Sequence, residues 1–286
     1  MKEKSSAPHA YVPETLGQTL SLLKREPEAL LLAGGTYILT RDKGKNTPLP
    51  GTIISLGNVE ELQRIGRTDQ FLEIGACVPI SHILTLGKNI LPRILNRALE
   101  QLATPIIKNR ATLGGNICIS EQRMDAYPVL QLLNAMIELK NSSSSRWLPI
   151  NKLIDEKGTI LFKEGELLTR MRIPFEQWDI QEYRKIGSVR NRDGTQLSFC
   201  ALARTQKEVI NDFTFAFGSI GPTPLRDRII EAELSGKKLP LSDREQKYIL
   251  SLLQKTVEKR PGQITEFQKT RIQQLMKHFL MRLSVE

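Results

Sequence analysis

Residues 103–117 read ATPIIKNRATLGGNI, and residues 31–39 read LLAGGTYIL. Each stretch sets a Gly-Gly pair beside an apolar run, with a small polar residue next to the glycines. A glycine pair at a strand end lets backbone amides approach a ligand closely, because no Cβ stands in the way. Consecutive N–H groups in such a bend form a concave anion site, the more so where a helix starts just after it. Thr36, Thr112 and Asn116 add side-chain donors. That donor set suits a pyrophosphate. Taken singly, each such pair is most often only a tight turn. The Gly-Lys-Ser/Thr of a Walker loop is absent, as is the G-x-G-x-x-G of a Rossmann site.

Outward from the bends, apolar periodicity predicts strands and helices in alternation through about residue 150. Residues 14–24 (ETLGQTLSLLK) have helical spacing, with Glu14 or Thr15 as cap. Residues 29–33 are expected to form a buried strand entering the first bend, and a short helix is expected from Tyr37. Strands are expected over 52–55 and 71–76, with a helical turn or two over 59–65 between them. Residues 79–86 read as a helix with Pro79 in its first turn, and 90–102 as a longer one. After the second bend come a helix over 126–134 and strands over 135–140 and 146–150, which flank the NSSSS turn. A strand over 167–173 stops at Pro174, and FEQWD (175–179) reads as an interdomain link. Beyond it, strands over 197–204 and 213–219 precede helices over 243–255 and 265–282, an α+β order.

With 286 residues, the chain is long enough for one large domain or two ordinary ones, each with its own core. No apolar run approaches the ~20 residues that cross a bilayer. The opening MKEKSSAPHAYVPET lacks the apolar core and cleavage site of a secretion signal, so a cytoplasmic location is expected. Cys77, Cys118 and Cys200 are far apart with no C-x-x-C, and His9, His82 and His278 are equally dispersed. A locally built metal or cluster site is therefore not expected. Redox chemistry would need an organic cofactor. The formal charge of +10 raises nucleic-acid binding, but aromatics at 6% are too few for stacking platforms. A solvated basic surface, a face for acidic partners and attraction for a phosphate-bearing cofactor all remain open.

The two bends in order, with FLEIGACVPISHI (71–83) between them, resemble the FAD-binding subunit of the molybdenum-containing hydroxylases. That family includes xanthine dehydrogenases, aerobic carbon monoxide dehydrogenases, and nicotinate- or aromatic-CoA-oxidising relatives. Its pattern is an AGGT-like loop, an IGA strand end, and a turn R-N-x-(A/G)-T-(I/V/L)-G-G-N with an aspartate nine residues after the asparagine. Here that aspartate is Asp125. GELLTRMRIP (165–174) and FGSIGPTPLR (217–226) resemble two later family stretches, so the likeness covers nearly the whole chain. It implies an α+β fold: a bilobed FAD-binding domain of the vanillyl-alcohol oxidase-like type over 1–174, then a C-terminal α+β domain over 175–286. The latter has a three-stranded sheet plus helices.

Carried over by position, the resemblance implies that Leu31, Leu32, Ala33, Gly34, Gly35, Thr36, Tyr37 and Ile38 wrap the FAD pyrophosphate and adjoining ribityl atoms. Thr112, Leu113, Gly114, Gly115 and Asn116 would meet the same diphosphate from the other side, so a side chain at Gly115 would fill the space of its oxygens. Asp125 would bind FAD on its adenosine or ribityl side, or else cap the helix that follows. Leu102 and Leu168 would line the cofactor or serve as plain core. Lys185 matches a lysine near the flavin, where a cation favours an anionic reduced ring; the alternative is a solvated lysine. Two departures stand out: Tyr37 where the family carries Asp or Asn, and Glu121-Gln122 where Asp-Pro is common. Residues 186–199 (IGSVRNRDGTQLSF), with Arg190, Arg192 and Asp193, read as a flap over the flavin ring or as an exposed hairpin loop.

In this family the substrate is hydroxylated at molybdenum on a separate subunit, and electrons pass through two iron–sulfur clusters on a small subunit to FAD. The acceptor is commonly NAD. The implied partners are thus a molybdenum-cofactor subunit and a two-cluster iron–sulfur subunit, with no nucleic acid and no membrane. No catalytic side chain or metal ligand is required of this chain. Two further readings stay open: a stand-alone flavoprotein reductase on the same fold, and a flavin-free interaction or assembly subunit, suggested by Tyr37 and Gln122.

Overall fold

The computed structural model describes residues 9–41, 51–119, 125–187, 196–260 and 264–283. Glu121, Gln122, Arg190, Arg192 and Asp193, and with them the expected flap, lie outside the described residues. The first lobe runs β1 (His9–Tyr11), α1 (Leu16–Arg25), β2 (Leu30–Leu32), α2 (Thr36–Arg41) and β3 (Thr52–Ser55), a parallel sheet of order β1-β3-β2. Thr15 is the cap of α1. Its hydroxyl accepts the N–H of Gln18 at 3.2 Å, and Lys24 and Arg25 sit at the helix's negative end. Leu20, Leu23 and Ile54 pack with Leu62, Cys77 and Leu167, so this small core is shared with the next lobe. β2 is half-buried rather than buried, because it forms one edge of the sheet.

The second lobe contains β4 (Ile65–Arg67) and β5 (Phe71–Gly75), then helices α3 (Ile80–Thr85), α4 (Arg93–Glu100), α5 (Pro105–Lys108), α6 (Leu113–Ile117) and α7 (Tyr127–Leu132). Strands β6 (Met136–Lys140), β7 (Ser145–Pro149) and β8 (Leu167–Pro174) complete an antiparallel sheet of order β4-β5-β8-β6-β7. Alternate residues divide its faces. Leu72, Ile74, Ile137, Met171 and Ile173 enter the main core with the helices. On the other face, Arg170 pairs with Glu138 and Glu73, and the Arg172 guanidinium lies 4.1 Å from the Trp147 ring centre.

The last unit is a sheet of order β11-β10-β9, built from β9 (Ile180–Ile186), β10 (Leu197–Gln206) and β11 (Val209–Gly218). Helices α8 (Arg228–Leu234), α9 (Asp243–Lys259) and α10 (Glu266–Leu283) follow. Phe199, Phe213, Phe215 and Phe217 pack on these helices, whereas Tyr183, Cys200, Leu202 and Ala216 join the core of the second lobe. The sheet is thus covered on both faces. A Cβ on Gly218 would lie 2.5 Å from Ser198 Oγ and 2.8 Å from Pro128 Cγ, so its bare backbone sets how closely α7 approaches. Trp178, in the stretch before β9, is buried under the Arg204 guanidinium, 4.4 Å from its ring centre.

The expected helix over 90–102 contracts to α4, because Pro92 stands at its N-cap. Pro79 likewise precedes α3 as its N-cap instead of entering its first turn. Residues 59–65 hold only a single 3-10 turn, Glu60–Leu62, and Ile65 already opens β4.

Candidate functional site

β2 delivers Leu31 and Leu32 into the first bend, and α2 begins at Thr36 straight after Gly35. Residues 31–38 are all half-buried, as the wall of a ligand groove would be. Gly35 has φ +72°, a left-handed conformation that strains any residue with a Cβ. Gly34 has a different reason to lack one: a Cβ there would lie 1.8 Å from the Arg110 carbonyl oxygen and 3.2 Å from Ala111 Cα. The first bend therefore sits directly on the backbone entering the second. The two bends are one assembly.

The second bend is a capped helical turn. Thr112 Oγ1 accepts the Gly115 N–H at 3.0 Å, and the N–H groups of Gly114 and Leu113 donate to Ala76 and Val78 carbonyls at 3.0 and 3.4 Å. Asn116 N–H donates to Thr112 O at 2.9 Å. These four amides already have protein acceptors, so they do not form the open anion cradle their spacing suggests. A Cβ on Gly114 would lie 2.6 Å from Ala76 O, which seats this turn against the IGA strand end. A side chain at Gly115 would first meet Thr112 Oγ1, at 2.8 Å, so the cap is what it displaces. Of residues 112–116 only Gly115 is exposed; Thr112 is buried, with its hydroxyl engaged as the cap. Asn116 is buried, and its Oδ1 accepts the Ala126 N–H at 3.1 Å, which fixes the backbone next to Asp125.

Asp125 is not a helix cap: Ala126 holds that position in α7, without a side-chain cap bond. Instead Lys185 Nζ lies 2.7 Å from Asp125 Oδ1 and 3.4 Å from the Leu102 carbonyl oxygen. With side chains only 11% and 14% exposed, the pair joins β9 to the second lobe. Lys185 is thus neither solvated nor a bare cation, and its carboxylate partner offsets the field it would exert on a flavin. Three residues expected at the site by resemblance alone, Leu102, Asp125 and Lys185, meet at this point. Leu102 and Leu168 are both buried in the main core and supply apolar wall.

Tyr183, which the sequence did not single out, adjoins this pair. It lies two positions before Lys185 in β9, on the same face, and its buried hydroxyl has no hydrogen-bond partner among the described residues. Burial, and secondarily the charge of Asp125, raise its pKa well above the ordinary phenol value. The available signal was the period of two that links it to Lys185. Cys77 and Cys118 border the second bend; burial pushes both thiols up to about 12, so they stay protonated and serve as packing. Among the described residues no group of His, Cys, Asp or Glu could hold a metal ion, and no helix is long and apolar enough to cross a membrane.

Residues 4–176 match the family model described as the FAD binding domain in molybdopterin dehydrogenase. The chain belongs to that family. Residues 182–283 match the model of the CO dehydrogenase flavoprotein C-terminal domain. Among relatives of this FAD-binding family, the chain is 28% identical over 238 residues to the xanthine dehydrogenase FAD-binding subunit of Escherichia coli O157:H7, covering 80% of this chain and 78% of that one. It is 27% identical to the glyceraldehyde dehydrogenase medium chain of Sulfolobus acidocaldarius, covering 79% of this chain and 80% of that one. In fold it is similar to a chain of the carbon monoxide dehydrogenase of Hydrogenophaga pseudoflava, with TM-score 0.81 at 20% identity over 97% of this chain and 96% of that one. Membership makes FAD the cofactor and oxidoreductase the class. The residues fit that cofactor: glycines hold the two bends in contact at Gly34, and a polar pair and an apolar wall stand nearby.

Proposed function

We propose that this chain is the electron-transfer subunit of a multi-subunit molybdenum hydroxylase in the cytoplasm, working with a molybdenum-cofactor subunit and a two-cluster iron–sulfur subunit. Bound FAD supplies a two-electron carrier between one-electron clusters and an acceptor such as NAD. The observation that carries this reading is the contact of the two bends at Gly34 and Arg110, which lets one diphosphate be addressed from both. Leu31, Leu32, Ala33, Gly34, Gly35, Thr36, Tyr37 and Ile38 hold the pyrophosphate and ribityl side. Leu113, Gly114 and Gly115 frame that loop from behind, and Thr112 and Asn116 contribute side chains. Leu102 and Leu168 form the apolar wall, and Asp125, tethered by Lys185, contributes a polar contact. The division of labour follows two domains, 1–174 and 175–286.

The test is expression with and without candidate molybdenum and iron–sulfur subunits, followed by absorbance and size measurement. A yellow protein with one FAD per chain that co-purifies with both subunits is the expected result. A colourless chain that takes up no FAD in an equilibrium titration overturns the reading in favour of a flavin-free interaction subunit. A yellow chain that stays alone and oxidises NADH unaided points instead to a stand-alone reductase.

A further inference from the structure

On the helical side of the C-terminal sheet, a cavity of about 470 Å³ opens between α8 and α9. That volume is in the range of small-molecule sites. Leu225, Ile230 and Leu252 line it with apolar surface, and Lys255, Lys259 and Arg260 bring positive charge. Lys255 and Lys259 stand four residues apart on α9, so they project from one side of the helix. Among the described residues neither lysine forms an ion pair, and neither does Arg260. The Arg260 guanidinium donates to Ile220 O at 3.1 Å, Pro224 O at 3.3 Å and Thr223 Oγ1 at 3.2 Å, all neutral oxygens. Burial pulls its pKa down to about 10, so it is still a cation at neutral pH.

The carboxylate at the cavity, Asp227, is already engaged. Its Oδ1 accepts the Ile229 and Ile230 N–H groups at 2.8 and 3.4 Å, and its Oδ2 accepts the Thr256 hydroxyl. Arg226, also on the lining, is matched by Glu231 at 2.7 Å. Three cations without an ion-pair partner therefore face one cavity, against the single carboxylate of Asp227, which local hydrogen bonds hold in place. Removing a guanidinium from water without a counter-charge is costly, and an arriving anion relieves that cost. A planar guanidinium with two ammonium groups suits phosphate oxygens.

We propose that the α8–α9 cavity binds a phosphate-bearing small molecule, with Lys255, Lys259 and Arg260 on the phosphate oxygens and Leu225, Ile230 and Leu252 under its apolar part. The FAD diphosphate is not this ligand. Leu225 and Ile230 belong to the helical face of the sheet, whereas Tyr183 and Lys185, two positions apart on β9, face the second lobe.

Flavin-loaded full-length protein, freed of excess FAD, is titrated calorimetrically with inorganic pyrophosphate. One-to-one binding is expected, weakened at least about tenfold by Lys255→Glu or Lys259→Glu and changed less than about twofold by Lys152→Glu, a control at an exposed site. Because Arg260 also braces residues 220–224, the exposed lysines carry the test, and an unchanged flavin spectrum shows that the variants are intact. No saturable heat up to about 10 mM pyrophosphate, or an affinity that both lysine variants leave unmoved, overturns the proposal.

Discussion

Gly34 marks where the first bend meets the second, and the smallest possible side chain tests it. In Gly34→Ala the new methyl would overlap the Arg110 carbonyl, and backbone on both sides must give way. A loss of roughly 2–4 kcal/mol in urea unfolding is expected, together with loss of FAD at purification. Gly115→Ala disturbs only the Thr112 cap and should cost about 1 kcal/mol. The Asp125–Lys185 pair makes a second residue-scale test. Lys185→Met removes the ion-pair partner of a mostly buried carboxylate and should cost about 3 kcal/mol, whereas Asp125→Asn combined with Lys185→Met should recover at least half of that loss. Equal losses in single and double variants would refute the coupling. The two glycine bends were legible in the sequence itself, whereas Asp125 came only from the family resemblance. That the amides of Leu113 and Gly114 are taken up by protein could not be read there, because their acceptors, Val78 and Ala76, come from a different stretch of chain.

At the scale of elements, short apolar strands such as β3 and β5 and the two long C-terminal helices were legible in the sequence. β9 was not. Its sequence IQEYRKI places Glu182 and Arg184 among apolar residues, and Glu182 is buried only because Arg184 and Arg282 close on it. The latter arginine lies on α10, a hundred residues away, so no local pattern could reveal the strand. Ion pairs also set how the β-rich second lobe responds to acid. The Arg146 hydrogen bonds to Glu166, at 2.7 and 2.8 Å, hold that carboxyl below its usual range against the opposing effect of burial. For Glu138 burial pushes up, but the bonds from Arg170, Thr169 and Ser145 prevail and the value falls. A depressed folded pKa gives stability that is complete above the unfolded value of about 4.3 and is lost as pH drops through the folded value. The urea midpoint should therefore decline on acidification below about pH 4.3, and Glu166→Gln should flatten part of that decline while lowering neutral stability by about 1 kcal/mol.

Over the whole molecule, the C-terminal sheet is the joint. One face closes the main core and the other carries the helical layer, so neither unit is finished without it. Filling Gly218 should pry the joint open. In Gly218→Val the added methyls meet Ser198 and Pro128, and a loss of about 3 kcal/mol is expected, with limited proteolysis newly cutting near residues 175–179. A cleavage pattern identical to that of the parent would show that the sheet tolerates the side chain without parting from α7. Of the chain's two indoles, one sits at this joint and the other away from it. Trp147 lies half-buried on the outer sheet of the second lobe, whereas Trp178 is sealed in the stretch that leads to β9. Separation of the halves would hydrate the second ring and leave the first as it was. Replacing Trp147 with phenylalanine thus leaves a fluorescent gauge whose colour reports the breathing of that joint alone, with no dye attached.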